Sequence, residues 1–143
     1  MNEKKKILFL CTGNSCRSQM AEAWTRHLRG DEYEAYSAGV EPKRIDPMAV
    51  HVMAEAGIDI SRQKAKDVNS LGEVEFDYVI TLCDNAKETC PYFPAKTALI
   101  HKGFDDPPAI AKGEKKDSEI INIYRRVRDE IKDYVMNLKT ADS

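Results

Sequence analysis

Apolar and polar positions along this chain switch repeatedly between a strand-like and a helix-like period. Residues 5–10 end in the unbroken run Ile7-Leu-Phe-Leu10, apolar on both faces as a central strand of a parallel sheet must be. Met20, Trp24, His27 and Leu28 then fall at helical spacing and predict a helix over residues 19–29, those side chains buried and Gly30 ending it. Glu22 and Arg26 stand four apart on it, and Arg26, His27 and Arg29 complement the dipole in its last turn. Residues 33–38 read as a second strand, closed by Gly39. Asp46-Pro47 predicts a capped helix start, with Val50, Met53 and Ala54 inward, His51 in solvent without a partner, and Gly57 as the stop. Ile58 and Ile60 alternate across a short extended piece, and the polar residues 61–75 predict a short helix and a turn around Asn69-Ser-Leu-Gly72.

Tyr78-Val-Ile-Thr-Leu82 is the second central strand and runs into Cys83, just as Leu10 runs into Cys11. Residues 84–89 read as a polar helical piece ended by Cys90-Pro91, and residues 97–100 as the last strand. Residues 101–108 predict a loop at the carboxyl edge of the sheet, and 109–116 a surface loop. Asp117 is expected to cap a final helix whose stripe Ile120, Tyr124, Val127, Ile131, Tyr134 and Leu138 covers one sheet face, with residues 140–143 frayed. Strands alternating with helices, and no internal repeat, predict one α/β domain over residues 1–143 built on a parallel sheet.

Composition narrows the classes. Twenty-two Lys and Arg against 24 Asp and Glu give a formal net charge of −2, no electrostatic footprint for nucleic acid or a membrane surface. No apolar run approaches the roughly 18 residues of a membrane span, and Ile7-Leu-Phe-Leu10 is too brief for a signal peptide's core. A soluble, cytoplasmic chain that need be no more than a monomer is the expectation. The four cysteines are spaced poorly for zinc: Cys11 and Cys16 are separated by four residues, Cys83 and Cys90 by six, with no C-x2-C. Nucleophilic or redox use fits better.

The chemistry concentrates in Cys11-Thr-Gly-Asn-Ser-Cys-Arg-Ser18, between the first strand and the first helix. A strand–turn–helix junction gathers backbone N–H groups and a positive dipole end on one point, which favours an oxyanion. Thr12, Gly13, Asn14, Ser15, Cys16, Arg17 and Ser18 are the candidate cradle, with Arg17 able to hold two oxygens at once. Cys11, at the loop's entry, is the candidate nucleophile, in a setting of the kind that favours thiolate. Attack on a tetrahedral oxyanion expels an oxygen that needs a proton. Asp105 and Asp106 are the candidate donors; Pro107 restricts the backbone of Asp106, which is preferred. Hydrolysis through Cys11 needs no second thiol, whereas two-electron reduction of the oxyanion does. Cys83, at a strand end, and Cys90 suit such a relay.

Together with Tyr36-Ser-Ala-Gly39, Thr81-Leu-Cys83, Cys90-Pro91 and Phe104-Asp-Asp-Pro107, the run from Cys11 to Ala23 resembles the thioredoxin-coupled arsenate reductases, which share the fold of low-molecular-weight protein tyrosine phosphatases. The similarity spans nearly the whole chain. It implies a four-stranded parallel sheet flanked by helices, arsenate as substrate, arsenic detoxification as the setting, no tightly bound cofactor, and thioredoxin as electron donor. It makes Cys11 the nucleophile, Arg17 and the loop amides the cradle, and Asp106 the proton donor. It further implies a Cys11–Cys83 and then a Cys83–Cys90 disulfide. Gln19, where the phosphatases usually carry proline, and Asp106-Pro107-Pro108, where they carry Asp-Pro-Tyr, both favour the reductase. The alternative is a low-molecular-weight tyrosine phosphatase using Cys11, Arg17 and Asp106; a non-enzymatic oxyanion- or zinc-binding module is a third class. Some relatives bind potassium through positions matching Asn14, Glu22, Ser37 and an aspartate. Lys66 stands at the last of these, with Asp67 next to it, so an ammonium is expected in the cation's place.

Overall fold

The computed structural model describes residues 4–83, 94–113 and 116–139. Ile7, Leu8, Phe9 and Leu10 expose no surface, so β1 (Lys5–Cys11) is covered on both faces, as its apolar run requires. It lies inside a four-stranded sheet of order β2-β1-β3-β4, formed with β2 (Tyr33–Gly39), β3 (Tyr78–Thr81) and β4 (Ala98–His101). Every neighbouring pair is parallel. Strand order reverses between β1 and β3, where open α/β sheets keep their ligands, beyond the strands' carboxyl ends. Cys11 closes β1, and Leu82 N donates to Leu10 O at 2.8 Å, so Cys83 leaves the adjacent strand at that same edge.

Alternation along β1 divides the core. Ile7 and Phe9 join Met20, Trp24, Val52, Met53, Val127 and Ile131 on the face covered by α1 (Arg17–Arg29), α2 (Pro47–Glu55) and α4 (Asp117–Met136). Leu8 and Leu10 join Ala38, Phe76 and Val79 on the other, where Val68, Leu71 and Val74 pack from a 3₁₀ turn (Val68–Leu71) and the chain after it. Gly72, at φ +64°, ends that turn. Truncating a buried side chain as large as Phe9 to alanine costs about 3–5 kcal/mol, a large part of a small domain's stability.

Several expectations are corrected. His27 and Leu28 are exposed: the buried part of α1 ends at Thr25. The inner face of α2 is Ala49, Val52 and Met53; Val50 is half-buried and Ala54 exposed, nine residues being too few to fix the helical phase from sequence. His51 is exposed but has Glu55 at 3.6 Å, four residues on. Residues 109–111 are not loop: Pro107 and Pro108, whose fixed φ suits a first turn, open α3 (Pro107–Ala111). Lys116, not Asp117, is the N-cap of α4, where Asp117 instead places its charge in the first turn. The expected helical piece at 84–89 and the frayed end at 140–143 lie outside the described residues.

Candidate active site

The loop after β1 is shaped from outside. Thr12 O accepts from Val40 N and Glu41 N at 3.0 Å, Gly13 O from Lys43 N at 2.9 Å, Ser15 O from Asp46 N at 3.0 Å and Cys16 O from Met20 N at 2.9 Å. Asn14 O accepts from Gln19 Nε2 at 2.9 Å. Five consecutive carbonyls are thus engaged away from the concave side. Because C=O and N–H of a trans peptide point in opposite directions, the N–H groups are left to the concave side. Asn14 permits the turn by taking φ +49°, a left-handed conformation asparagine tolerates. Gly39 allows the close approach beneath: a Cβ there would lie 2.6 Å from Thr12 O and 2.9 Å from Asn14 N. Arg17 opens the 13-residue α1, whose dipole adds to an anion-binding hollow.

A chain of side chains sets the environment of the Cys11 sulfur. Lys66 N, which can only donate, lies 2.7 Å from Asn14 Oδ1, and Gln19 Nε2 donates to the same oxygen at 3.0 Å. The other end of that amide, Asn14 Nδ2, donates to Ser18 Oγ at 2.7 Å. Ser18 Oγ lies 2.9 Å from Cys11 Sγ, and when Cys11 is a thiolate, which can only accept, the Ser18 hydroxyl donates to it. Gln63 Nε2 donates to Gln19 Oε1 at 2.7 Å, fixing which way the Gln19 amide faces.

Arg17 gathers the remaining groups. Its buried guanidinium donates through Nη1 to Leu82 O at 3.3 Å and Phe104 O at 3.2 Å, while Nη2 lies 3.7 Å from Asp106 Oδ2. The chain leading into Cys83 and the chain leading into Asp105-Asp106 are therefore held on one cation. Asp105 turns to Arg126 on α4, 3.0 Å away, whereas Asp106 stays beside Arg17 with its side chain 34% exposed. Cys11, Cys16 and Cys83 are buried and form no disulfide. Burial first, then the charge of Asp46, pushes the Cys16 thiol up. Cys90 lies outside the described residues.

The residues matched to a potassium site do not fit a cation here. Glu22 Oε1 accepts from Ser37 Oγ at 2.6 Å and has Lys66 Nζ at 3.7 Å; Oε2 pairs with Arg26 at 2.8 Å. Two positive groups already face this buried carboxylate, and both donors on Asn14 Oδ1 occupy the remaining oxygen. Burial pulls the Lys66 ammonium down, Glu22 opposing. Asp67 is spent on the 3₁₀ turn, accepting from Asn69 N at 2.8 Å. Among the described residues no three His, Cys, Asp or Glu gather as metal ligands, and no helix is long and apolar enough to cross a membrane. The sequence reading missed Gln63 and the full part played by Gly39. Gly39 carried a signal, a glycine paired with Cys11 across two parallel strands; Gln63 carried none.

Residues 6–141 match the family described as low molecular weight phosphotyrosine protein phosphatase. The chain is 50% identical over 128 residues to an arsenate reductase of Halalkalibacterium halodurans, covering 90% of each protein. Its fold superposes on the crystal structure of an arsenate reductase from Archaeoglobus fulgidus with a TM-score of 0.73 and 29% identity, over 91% of this chain and 95% of that one. It also superposes on a thioredoxin-dependent arsenate reductase of Corynebacterium glutamicum, with a TM-score of 0.57 and 29% identity, over 96% of this chain and 65% of that one. The chain belongs to the low-molecular-weight phosphotyrosine protein phosphatase family, on the side of it that holds the arsenate reductases.

Proposed function

We propose that this chain reduces arsenate to arsenite by a three-cysteine relay that thioredoxin regenerates. The observation that carries the reading is Arg17, whose guanidinium bridges the carbonyl before Cys83 and the carbonyl before Asp105-Asp106 beside the Cys11 loop. A hydrolase needs the loop, Arg17 and Asp106; it has no use for a second thiol at the neighbouring strand end. The relatives named arsenate reductase, and the thioredoxin-dependent one among them, point the same way.

Cys11 thiolate attacks arsenic, an As–O bond breaks, and Asp106 gives the departing hydroxide its proton, so water leaves. Arg17 and the loop amides hold the oxyanion's charge, and Ser18 steadies the sulfur beforehand. Cys83 thiolate then attacks the Cys11 sulfur. The S–As bond breaks with its electron pair passing to arsenic, arsenite leaves, and a Cys11–Cys83 disulfide remains. Cys90 thiolate attacks Cys83, frees Cys11 and leaves Cys83–Cys90. Cys83 is fully buried, so the cycle requires it to become accessible before a thioredoxin dithiol can reach the disulfide it carries. A monomer without a tightly bound cofactor, serving arsenic detoxification in the cytoplasm, is the setting this chemistry fits. The Lys66 ammonium takes the part that potassium plays in some relatives.

Purified protein with thioredoxin, thioredoxin reductase, NADPH and arsenate tests the reading. Cys83→Ser and Cys90→Ser should each abolish turnover and leave any slow Cys11-dependent phosphatase activity. Parent-like turnover in both variants overturns the relay, and efficient phosphotyrosine cleavage without arsenate reduction would establish the phosphatase instead.

A further inference from the structure

Asp46 joins the oxyanion loop to two helices. Its N–H donates to Ser15 O at 3.0 Å, its Oδ1 accepts from Met48 N at 2.9 Å as the cap of α2, and its Oδ2 accepts from Tyr124 Oη of α4 at 2.5 Å. The cap alone needs one oxygen and no charge; asparagine or serine would serve. Tyr124 is 5% exposed within an apolar stripe, where phenylalanine would fill the space. Each residue thus carries a polar feature that helix capping and packing do not require, and the two features meet directly behind the loop.

We propose that Asp46 and Tyr124 are positioning residues for the oxyanion loop, fixing the arm formed by Ser15 and Cys16 and setting the charge that stands behind it. The inference rests on the reading above only in that the loop binds an oxyanion; it holds whether the bound species is reduced or hydrolysed. A carboxylate beside an anion site is repulsive unless it is held outward and partly neutralised. The amide of Met48 and the hydroxyl of Tyr124 do both. Tyr124 remains a donor throughout, because burial and the neighbouring Asp46 push its phenol well above the ordinary value.

The groups facing Cys16 are Asp46, Cys11, Asp106 and Arg17, with Tyr124 interacting from α4. Of these only Arg17 favours a thiolate at Cys16. Burial first, and the Asp46 charge second, thus oppose a thiolate at Cys16, the second cysteine of the loop.

Two conservative substitutions should act with opposite sign. Asp46→Asn keeps a competent cap and removes the charge: inorganic phosphate should bind several-fold tighter, and Cys16 should ionise at lower pH. Tyr124→Phe keeps the apolar stripe and leaves the carboxylate less neutralised: phosphate should bind several-fold more weakly, and Cys16 should ionise at higher pH. Calorimetry with inorganic phosphate on the full chain reads the first effect. Ultraviolet thiolate titration, with a Cys16→Ala background assigning the step, reads the second. Asp46→Ser, which also caps without charge, should follow Asp46→Asn and provides the test if the asparagine variant folds poorly. Phosphate affinities that shift in the same direction in the two charge classes, or that do not shift, overturn the proposal. Opposite shifts in a protein that does not reduce arsenate would sustain it while refuting the reductase reading.

Discussion

The Ser18 hydroxyl lies 2.9 Å from the Cys11 sulfur and, with Asn14 donating to its oxygen, is held where it can donate to a Cys11 thiolate. The Asn14 amide that holds the Ser18 oxygen is itself oriented by a backbone N–H, that of Lys66. Ser18→Ala removes a hydrogen bond to a group that reacts as an anion, an interaction of about 1.5–3 kcal/mol, or roughly tenfold to a hundredfold in rate. Alkylation of Cys11 at neutral pH and kcat/KM for arsenate should both fall by that order, with phosphate still bound. Unchanged alkylation would show that the proton points elsewhere.

Gly39→Ala should damage the site more than the sheet. Its Cβ would press on Thr12 O at 2.6 Å and Cys11 O at 2.8 Å, both backbone atoms that cannot swing away. Overpacking of this kind costs about 1–3 kcal/mol. Calorimetry should show phosphate affinity reduced by about tenfold or more while the far-ultraviolet circular dichroism stays that of the parent.

Much of this arrangement was legible in the chain, and for identifiable reasons. β1 contains four fully buried residues in a row, and α1 begins where the cysteine loop ends, so the junction that holds the oxyanion is local in sequence. The same locality explains why Asp46 was legible as a cap. What escaped were relations between distant residues: Tyr124 with Asp46, separated by 78 positions, and Gln63 with Gln19, separated by 44. A polar side chain on an apolar stripe gives no hint of which partner it meets. Short helices escaped too, α2 in its phase and α3 altogether, because a few turns carry too little periodicity to fix either.

Lys66 lies 3.7 Å from Glu22 and should make turnover indifferent to potassium. At constant ionic strength, replacing sodium by potassium should leave arsenate turnover of the parent unchanged. Lys66→Asp, which sets a second carboxylate near Glu22, should create a potassium response. A large potassium stimulation of the parent would contradict the part given to the ammonium.

Glu55 on α2 is clamped by Arg125 of α4 through two bonds, at 2.9 and 2.6 Å. The Arg125 hydrogen bonds, aided by the charges of Arg125, His51 and Arg128, hold its carboxyl at about 2, below the ordinary 4.5. A depressed carboxyl stabilises the fold above its unfolded value and loses that contribution as pH falls through the folded one. Between neutral pH and about pH 3, the melting temperature of the parent should therefore drop further than that of Glu55→Gln. Equal drops would remove Glu55 from the acid response.

Asp106→Asn should separate binding from chemistry. General acids contribute about 10²–10⁴-fold, so arsenate turnover should fall by that order while phosphate affinity is retained or improved, a negative charge near Arg17 having gone. Asp105→Asn, which loses only the exposed pairing with Arg126, should stay within a few-fold of the parent.

The most direct test is to add one equivalent of arsenate to the fully reduced protein, without thioredoxin, and to map the linked cysteines by mass spectrometry. The account predicts a Cys83–Cys90 disulfide with Cys11 again a free thiol, and a Cys11–Cys83 disulfide trapped in Cys90→Ser. Stoichiometric arsenite with Cys83 and Cys90 left unlinked would contradict it.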